Sequence, residues 1–160
     1  MIKITIIAVG KLKEKYFLAA ADEYIKRLSR FCKLSIIEIE PAKISENPSP
    51  REIENCLFDE GRKILAKISN DAYVTALCIE GKTESSEQLS ASIQNCAVTG
   101  KGEQIFIIGG SYGLSDDIKK RADKKLSMSP MTFPHKLARV MLLEQIYRAF
   151  MIADGGTYHK

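Results

Sequence analysis

Short apolar runs rich in β-branched residues alternate along this chain with segments whose apolar residues recur at helical spacing. This alternation constrains the fold more than any other feature, because successive strands of a parallel sheet are joined by helices. We therefore predict an α/β fold with a mainly parallel sheet and helices on both faces. The predicted strands are Ile2 to Val9, Leu34 to Ile39, Ala72 to Ile79, Gln104 to Ile108 and Lys124 to Ser127.

Length and composition suit one domain over residues 1–160, because the hydrophobic content of 45% supplies a sizeable core. The first apolar run is too short to cross a membrane and lacks a signal-cleavage pattern, so we predict a cytoplasmic protein with no membrane partner. The four cysteines lie far apart without ligand spacing, which argues against a metal site or a disulfide framework. The net charge of +4 is weaker than in a dedicated DNA-binding module, so DNA is not an expected partner.

The stretch Leu126 to Phe150 joins a short strand, a loop without charged residues and a long helix. Pro134 sits where the first turn of that helix tolerates a missing N–H group. Apolar residues occupy two faces of the helix, so one face can cover the sheet and the second needs another partner. We predict that a second copy of the chain covers it, giving a homodimer; the alternative is a helix buried in its own core. The two faces are Leu137, Val140, Met141, Tyr147 and Met151, and Leu142, Leu143, Ile146, Ala149, Phe150 and Ala153.

Three predicted strand ends carry features of a ligand site, which in such sheets lies at the carboxyl ends of the strands. They are Leu77 to Gly81, Gly109 to Gly113 and Ser127 to Phe133. The Gly-Gly pair lets a ligand approach the main chain because no Cβ intervenes; a structural turn is the alternative. GGSYG matches neither GxGxxG nor GxxxxGK[ST], and Asp116 and Asp117 would repel a phosphate at the following helix. A nucleoside cofactor without phosphates fits better.

The loop after Leu126 offers backbone donors and acceptors beside Met128, Met131 and Phe133, a lining suited to an adenine. A histidine at a helix start is more often a capping or surface group than a catalyst. No Ser/His/Asp or Cys/His nucleophile arrangement can be argued from this sequence. The polar groups near the loop are His135, Arg139 and Arg148 on the following helix, and Tyr158, His159 and Lys160 in a flexible polar tail.

Five sequence blocks carry a resemblance to a known family. They are IIAVGKLKEKY near the start, CIEGK (Cys78 to Lys82), FIIGGSYGLS, LSMSPMTFPHKLARVMLLEQIYRAF and the closing YHK. In order and spacing the chain resembles the ribosomal RNA large subunit methyltransferase H family, which belongs to the SPOUT class of S-adenosylmethionine-dependent enzymes. The FPHKLARV to YRAF block together with YHK is its most specific part. Residues 44–55 match least, and Tyr112 stands at a variable position of the glycine turn.

The resemblance implies methyl transfer from S-adenosylmethionine to N3 of a pseudouridine in helix 69 of 23S ribosomal RNA, within the assembled ribosome. It also implies a homodimer and a deep trefoil knot formed by the C-terminal segment around the cofactor, although base rates argue against knots. No metal is required, since the sulfonium is already an activated methyl donor. The cofactor contacts implied for this sequence are Leu77, Gly109, Met128, Ser129, Pro130, Met131, Thr132 and Phe133.

Catalysis in such an enzyme requires alignment of the methyl group with N3 and removal of the N3 proton. The candidate catalytic side chains are His135, Arg139, Tyr158, His159 and Lys160. An arginine could stabilise the N3 anion, while His159 or a water could accept the proton. These roles stay open at the level of the sequence.

Two other classes of function are alternatives. A nicotinamide or flavin oxidoreductase is disfavoured by the missing fingerprint and by the absence of an acidic residue about 20 positions past the glycines. A non-catalytic ribosome-associated RNA-binding protein would need neither the GGSYG turn nor the loop after Leu126. Comparing the binding of S-adenosylhomocysteine with that of NAD distinguishes the cofactor classes.

Overall fold

The computed structural model describes residues 1–160 as five strands alternating with five helices. The elements are β1 (Ile2–Val9), α1 (Lys15–Leu28), β2 (Cys32–Ile39), α2 (Pro50–Leu65), β3 (Tyr73–Thr83), α3 (Ser86–Val98), β4 (Gln104–Ile108), α4 (Asp116–Arg121), β5 (Lys124–Ser127) and α5 (His135–Ala153). The strands form one sheet in the order β2-β1-β4-β3-β5, and every neighbouring pair is parallel. The predicted α/β fold is confirmed, with a sheet that is wholly rather than mainly parallel.

Helices cover both faces of the sheet, as the sequence predicts. On one face α1, α3 and α5 enclose a core that includes Leu28 and Leu142. On the other face α2 and α4 enclose a second core around Ile118. Strand β1 contributes to both cores, with Ile6 in the first and Ile7 in the second, because alternate side chains of a strand point to opposite faces. Burial on both faces explains why the residues of this strand from Ile4 to Val9 are apolar except for Thr5.

Helix α5 packs against α1 and α3 and buries one of its two predicted apolar faces. Of the apolar face that includes Leu142 and Ile146, every residue is buried except Ala153, which is exposed because it ends the helix. Leu142 and Ile146 therefore lie in the core of their own chain and not in an interface between copies. On the second face, Tyr147 packs against aromatic rings of its own chain. The face without a partner is therefore narrower than predicted and consists of Leu137, Val140, Met141 and Met151.

Local signals at the helix ends account for several boundaries. The sequence Ser85-Ser86-Glu87-Gln88 predicts a capping box before α3. It forms, since Ser85 N–H donates to Gln88 Oε1 at 2.8 Å and Gln88 N–H donates to Ser85 Oγ at 3.1 Å. Gly61 lowers the helix propensity of α2, but a Cβ there would lie 2.5 Å from Ser115 Oγ. Glycine thus lets α2 approach the start of α4. Leu65 is exposed rather than inward as its spacing predicts, because α2 ends at this residue.

Strand β3 runs to Thr83, beyond its predicted end at Ile79. Leu77 and Lys82 both pair with Leu126 of β5, so residues 78–81 are not paired with β5. The pairing of β3 with β5 resumes at Lys82. None of the helices has the length and apolar character needed to span a membrane. The trefoil knot implied by the family resemblance stays a prediction.

Candidate functional site

A cleft of about 710 Å³ opens at the carboxyl ends of β3, β4 and β5. The three strand ends selected from the sequence meet here, as expected for a parallel sheet. Seven of the eight predicted cofactor residues line the cleft, whereas Pro130 is exposed and does not. The seven are Leu77, Gly109, Met128, Ser129, Met131, Thr132 and Phe133. Their contact with a cofactor stays a prediction.

The glycine turn at residues 109–113 forms one wall of the cleft, and its Gly113 N–H donates to Gly110 O at 3.1 Å. A Cβ at Gly109 would lie 2.6 Å from the Gly113 carbonyl carbon and still closer to its oxygen. One at Gly110 would lie 3.1 Å from Val9 Cγ1. The sequence argument that the missing Cβ atoms make room for a ligand is therefore wrong. They make room for protein atoms, which allows this tight turn to form beside the cleft.

The excursion of β3 at residues 78–81 forms a second wall, with Cys78, Ile79 and Glu80 lining the cleft. It passes so close to β5 that a Cβ at Gly81 would lie 2.7 Å from the main chain of Leu126. Glu80 forms an ion pair with Lys119 of α4, which also lines the cleft. The hydrogen bond between them lowers the pKa of Glu80 and raises the pKa of Lys119. These two charges therefore largely neutralise each other.

The third wall is the loop between β5 and α5, at residues 128–134. Ser127 Oγ donates to Ser129 O at 3.0 Å, and Ser129 Oγ accepts from Met131 N–H at 3.0 Å. These bonds hold the loop in an ordered, non-helical form. The Met131 side chain is 73% exposed, so the loop offers an apolar surface that a ligand in the cleft can cover.

His135, at the start of α5, lines the cleft between the third wall and the end of β1. A Cβ on Gly10 would lie 3.9 Å from its Nε2 atom, which places the ring beside the residue that follows β1. Burial, followed by the charges of Lys136 and Arg139, lowers the pKa of His135 below its ordinary value. The imidazole is thus neutral at pH 7.

Arg139, one helical turn further on, is buried and does not line the cleft. Its Nη1 donates to Glu38 at 2.8 Å and its Nη2 donates to Gly10 O at 2.8 Å, while its Nε has no partner. The side chain thus fastens α5 to the ends of β1 and β2. A catalytic role for Arg139 stays a prediction. In this structure its guanidinium is occupied by the hydrogen bonds to Glu38 and Gly10.

The predicted flexible tail lies against α5. The Tyr158 ring packs on Tyr147 with centroids 5.0 Å apart, and its hydroxyl donates to Glu144 Oε1 at 3.1 Å. Burial, followed by hydrogen bonds with Tyr24 and Glu144, raises the pKa of Tyr158 to about 12. The hydroxyl therefore keeps its proton at neutral pH.

His159 is held between two charged side chains. Its Nδ1 accepts from Arg148 Nη1 at 3.2 Å, which leaves Nε2–H to donate to Glu87 at 2.7 Å. Arg148 in turn donates to Glu144 at 2.6 Å. The sequence argument does not include Glu144. Its spacing of four residues from Arg148 on one helix is the pattern that predicts this ion pair. None of Tyr158, His159 and Lys160 lines the cleft of its own chain.

A family model described as "Predicted SPOUT methyltransferase" matches residues 2–159. The chain belongs to the SPOUT methyltransferase family. The match includes every wall of the cleft, α5 and all of the tail except Lys160.

Curated relatives of this SPOUT methyltransferase carry a more specific name, "Ribosomal RNA large subunit methyltransferase H". The protein of that name from Clostridioides difficile is 53% identical over 98% of this chain and 99% of its own length. Those from Clostridium kluyveri and Clostridium botulinum are each 54% identical over the same shares. The family resemblance drawn from the five sequence blocks is confirmed.

Among solved structures, "a probable methylase family protein from Haemophilus influenzae" has a similar fold, with a TM-score of 0.54. The superposition covers 100% of this chain and 72% of that chain at 12% sequence identity. At such low identity the similarity concerns the fold alone.

Proposed function

We propose that this SPOUT methyltransferase transfers a methyl group from S-adenosylmethionine to N3 of a pseudouridine in helix 69 of 23S ribosomal RNA, within the assembled ribosome. The observation that carries the proposal is the identity of 53–54%, over nearly the full chain, to proteins named for large-subunit ribosomal RNA methylation. These relatives give no support to a nicotinamide or flavin oxidoreductase. A non-catalytic RNA-binding protein would have no need of the three-walled cleft.

The cleft suits the adenosine part of the proposed donor. Leu77, Met128 and Phe133 supply apolar surface for the faces of a planar base, and the glycine turn adds main-chain polar groups for its edges. When bound, the donor supplies a methyl group already activated on a positively charged sulfur. The residues proposed to hold it are Leu77, Gly109 and the lining residues of the loop from Met128 to Phe133.

We infer that two copies associate through the unpartnered face of α5. Leu137 is exposed in the single chain, and Val140, Met141 and Met151 are half-buried. The tail residues that carry the predicted catalytic groups do not reach the cleft of their own chain. A second copy that brings its tail to this cleft would complete the site, which makes the homodimer part of the proposed mechanism.

Proton removal from N3 needs an accessible group in its deprotonated form. His135 meets this need within one chain, because it lines the cleft and its lowered pKa keeps it neutral. Both ring nitrogens of His159 form hydrogen bonds within the chain, to Arg148 and to Glu87, so neither is free to contact a substrate in this arrangement. Methyl transfer leaves the donor as a neutral thioether, and the N3 proton passes to the accepting group.

The test uses tritiated S-adenosylmethionine with ribosomes that lack the modification. We expect incorporation into 23S ribosomal RNA of assembled ribosomes and none into the same RNA stripped of protein. A fully active Leu77→Trp variant, in which the cleft is filled, would contradict the assignment of the cleft. Absence of any 23S methylation by the wild-type protein, with S-adenosylmethionine binding intact, would refute the proposed acceptor.

Whether the tail acts on the second copy can be tested by mixing. A protein without Tyr158 to Lys160 and a Leu77→Trp protein should each be inactive alone. If the tail serves the partner's cleft, mixed dimers contain one intact site and regain part of the activity. Failure of the mixture to regain any activity, with mixed dimers shown by mass spectrometry, would show that cleft and tail must belong to one chain.

A further inference from the structure

Two charged side chains of this protein are buried, Glu60 on α2 at 6% exposure and Arg139 on α5 at 4%. Arg139 is paired with Glu38, whereas Glu60 has no cation within ion-pair distance. Glu60 Oε2 accepts from Ala42 N–H at 3.0 Å. The neighbouring Cys56 thiol, whose pKa is raised by burial and then by the Glu60 charge, adds only a weak donor. A buried carboxylate with so few partners costs stability, so it calls for another explanation.

Glu60 lies directly behind the glycine turn of the cleft. A Cβ on Gly110 would be 3.5 Å from Glu60 Oε1, and Gly110 itself lines the cleft. The next residue, Gly61, packs on Ser115, just past the other end of the same turn. Helix α2 therefore contacts the glycine turn near both of its ends. Only Gly110 separates the Glu60 carboxylate from the cleft.

No other unpaired charge borders this part of the cleft. Among its lining residues, Glu80 and Lys119 are paired with each other, and His135 is neutral at pH 7. Glu60 is thus the unpaired charge that lies directly behind Gly110. Because protein and not water surrounds this carboxylate, its field is poorly screened.

We propose that the Glu60 carboxylate supplies the negative charge that favours the cationic sulfonium of the methyl donor over the neutral thioether product. This inference rests on the proposed function and deepens it. The donor and product differ at the sulfur by one methyl group and one positive charge, whereas their adenosine, amino and carboxylate groups are the same. On this proposal, the buried carboxylate of Glu60 lacks a cation in the free protein because the sulfonium of the bound donor supplies it. After transfer the counter-charge is gone, which favours release of the product.

The experiment compares Glu60→Gln with wild type by calorimetric titration of S-adenosylmethionine and of S-adenosylhomocysteine. Glutamine keeps an acceptor for Ala42 N–H and removes the charge. We expect the affinity for the cationic donor to fall by about tenfold, the order expected for the loss of one unit charge in a partly buried site. The affinity for the neutral product should change by less than about twofold. Glu60→Asp keeps the charge and should keep the preference for the donor.

Glu54→Gln is the matched control, since it removes the same charge from an exposed position of the same helix. It should leave both affinities unchanged. The melting temperature of ligand-free Glu60→Gln should equal or exceed that of wild type, because a buried charge has been removed.

Equal weakening of donor and product by Glu60→Gln, or a melting temperature several degrees lower, would overturn the proposal and make Glu60 a structural acceptor. These outcomes are separate from a failure of the proposed function. That failure would appear as wild-type protein that does not bind S-adenosylmethionine or does not methylate ribosomes.

Discussion

Replacing Gly109 by alanine should loosen the glycine turn and with it the cleft. The added Cβ would lie 2.6 Å from the Gly113 carbonyl carbon, and the clash is with main chain that cannot rotate away. Overpacking of this kind costs about 1–3 kcal/mol, and the turn hydrogen bond from Gly113 to Gly110 contributes about 1 kcal/mol more. For a chain of this size a total of about 2–4 kcal/mol lowers the melting temperature by roughly 5–12 °C.

The assay for Gly109→Ala is thermal and urea unfolding followed by calorimetric titration of S-adenosylmethionine. We expect lower stability and weaker binding together, since the displaced turn is a wall of the cleft. Gly100→Ala is the control, because Gly100 has a φ of 80° and nothing within 4 Å of an added Cβ. It should cost only the left-handed strain of about 1–2 kcal/mol and leave binding intact. A Gly109→Ala protein with wild-type melting and binding would refute the steric argument.

Three further predictions concern α5 and the tail. Deleting Tyr158 to Lys160 should leave S-adenosylmethionine binding nearly intact and abolish methyl transfer to ribosomes. Thermal stability should fall modestly, because the packing on Tyr147 is removed. Full activity of the truncated protein would show that the tail is not catalytic and would leave His135 as the candidate. Leu137→Asp should give monomers by sedimentation without unfolding, whereas a charge at the fully buried Leu142 should unfold the chain; a dimeric Leu137→Asp protein would remove this face from the interface. The pKa of His135 is lowered in the folded state, so as pH falls below about 6.5 the unfolded chain takes up the proton first and stability is lost. His135→Gln should reduce this loss in urea unfolding at pH 7.5 and 5.5, and an unchanged pH dependence would show that His135 does not cause it.

Features that depend on near neighbours in the chain were predictable from the sequence. The bounds of β4 and β5 and the capping box at Ser85 and Gln88 follow from patterns a few residues long. The position of the cleft was also predictable, because the carboxyl ends of parallel strands meet at one edge of the sheet. In these cases local preference and the overall fold agree.

Features that depend on the direction of one side chain were not predictable. The missing Cβ atoms of Gly109 and Gly110 face protein and not ligand, which only the path of the turn decides. The sequence places Arg139 on a helix near the cleft, but it does not predict the hydrogen-bond partners of this side chain. These partners, Glu38 and Gly10, are about a hundred or more positions away in the chain. Glu60 lies on an amphipathic helix, where a glutamate ordinarily faces water.

The strand order has a consequence for how this chain folds as it is made. Strand β1 emerges first, and its Ile4 pairs with Leu34 on one side and with Gln104 on the other. The second edge of β1 stays open until β4 has left the ribosome, since no earlier strand occupies that position. Contacts this distant in sequence slow folding, and an apolar strand with a free edge invites association with other chains. We therefore expect nascent chains ending before Gln104 to depend on a chaperone that shields Ile4 to Val9.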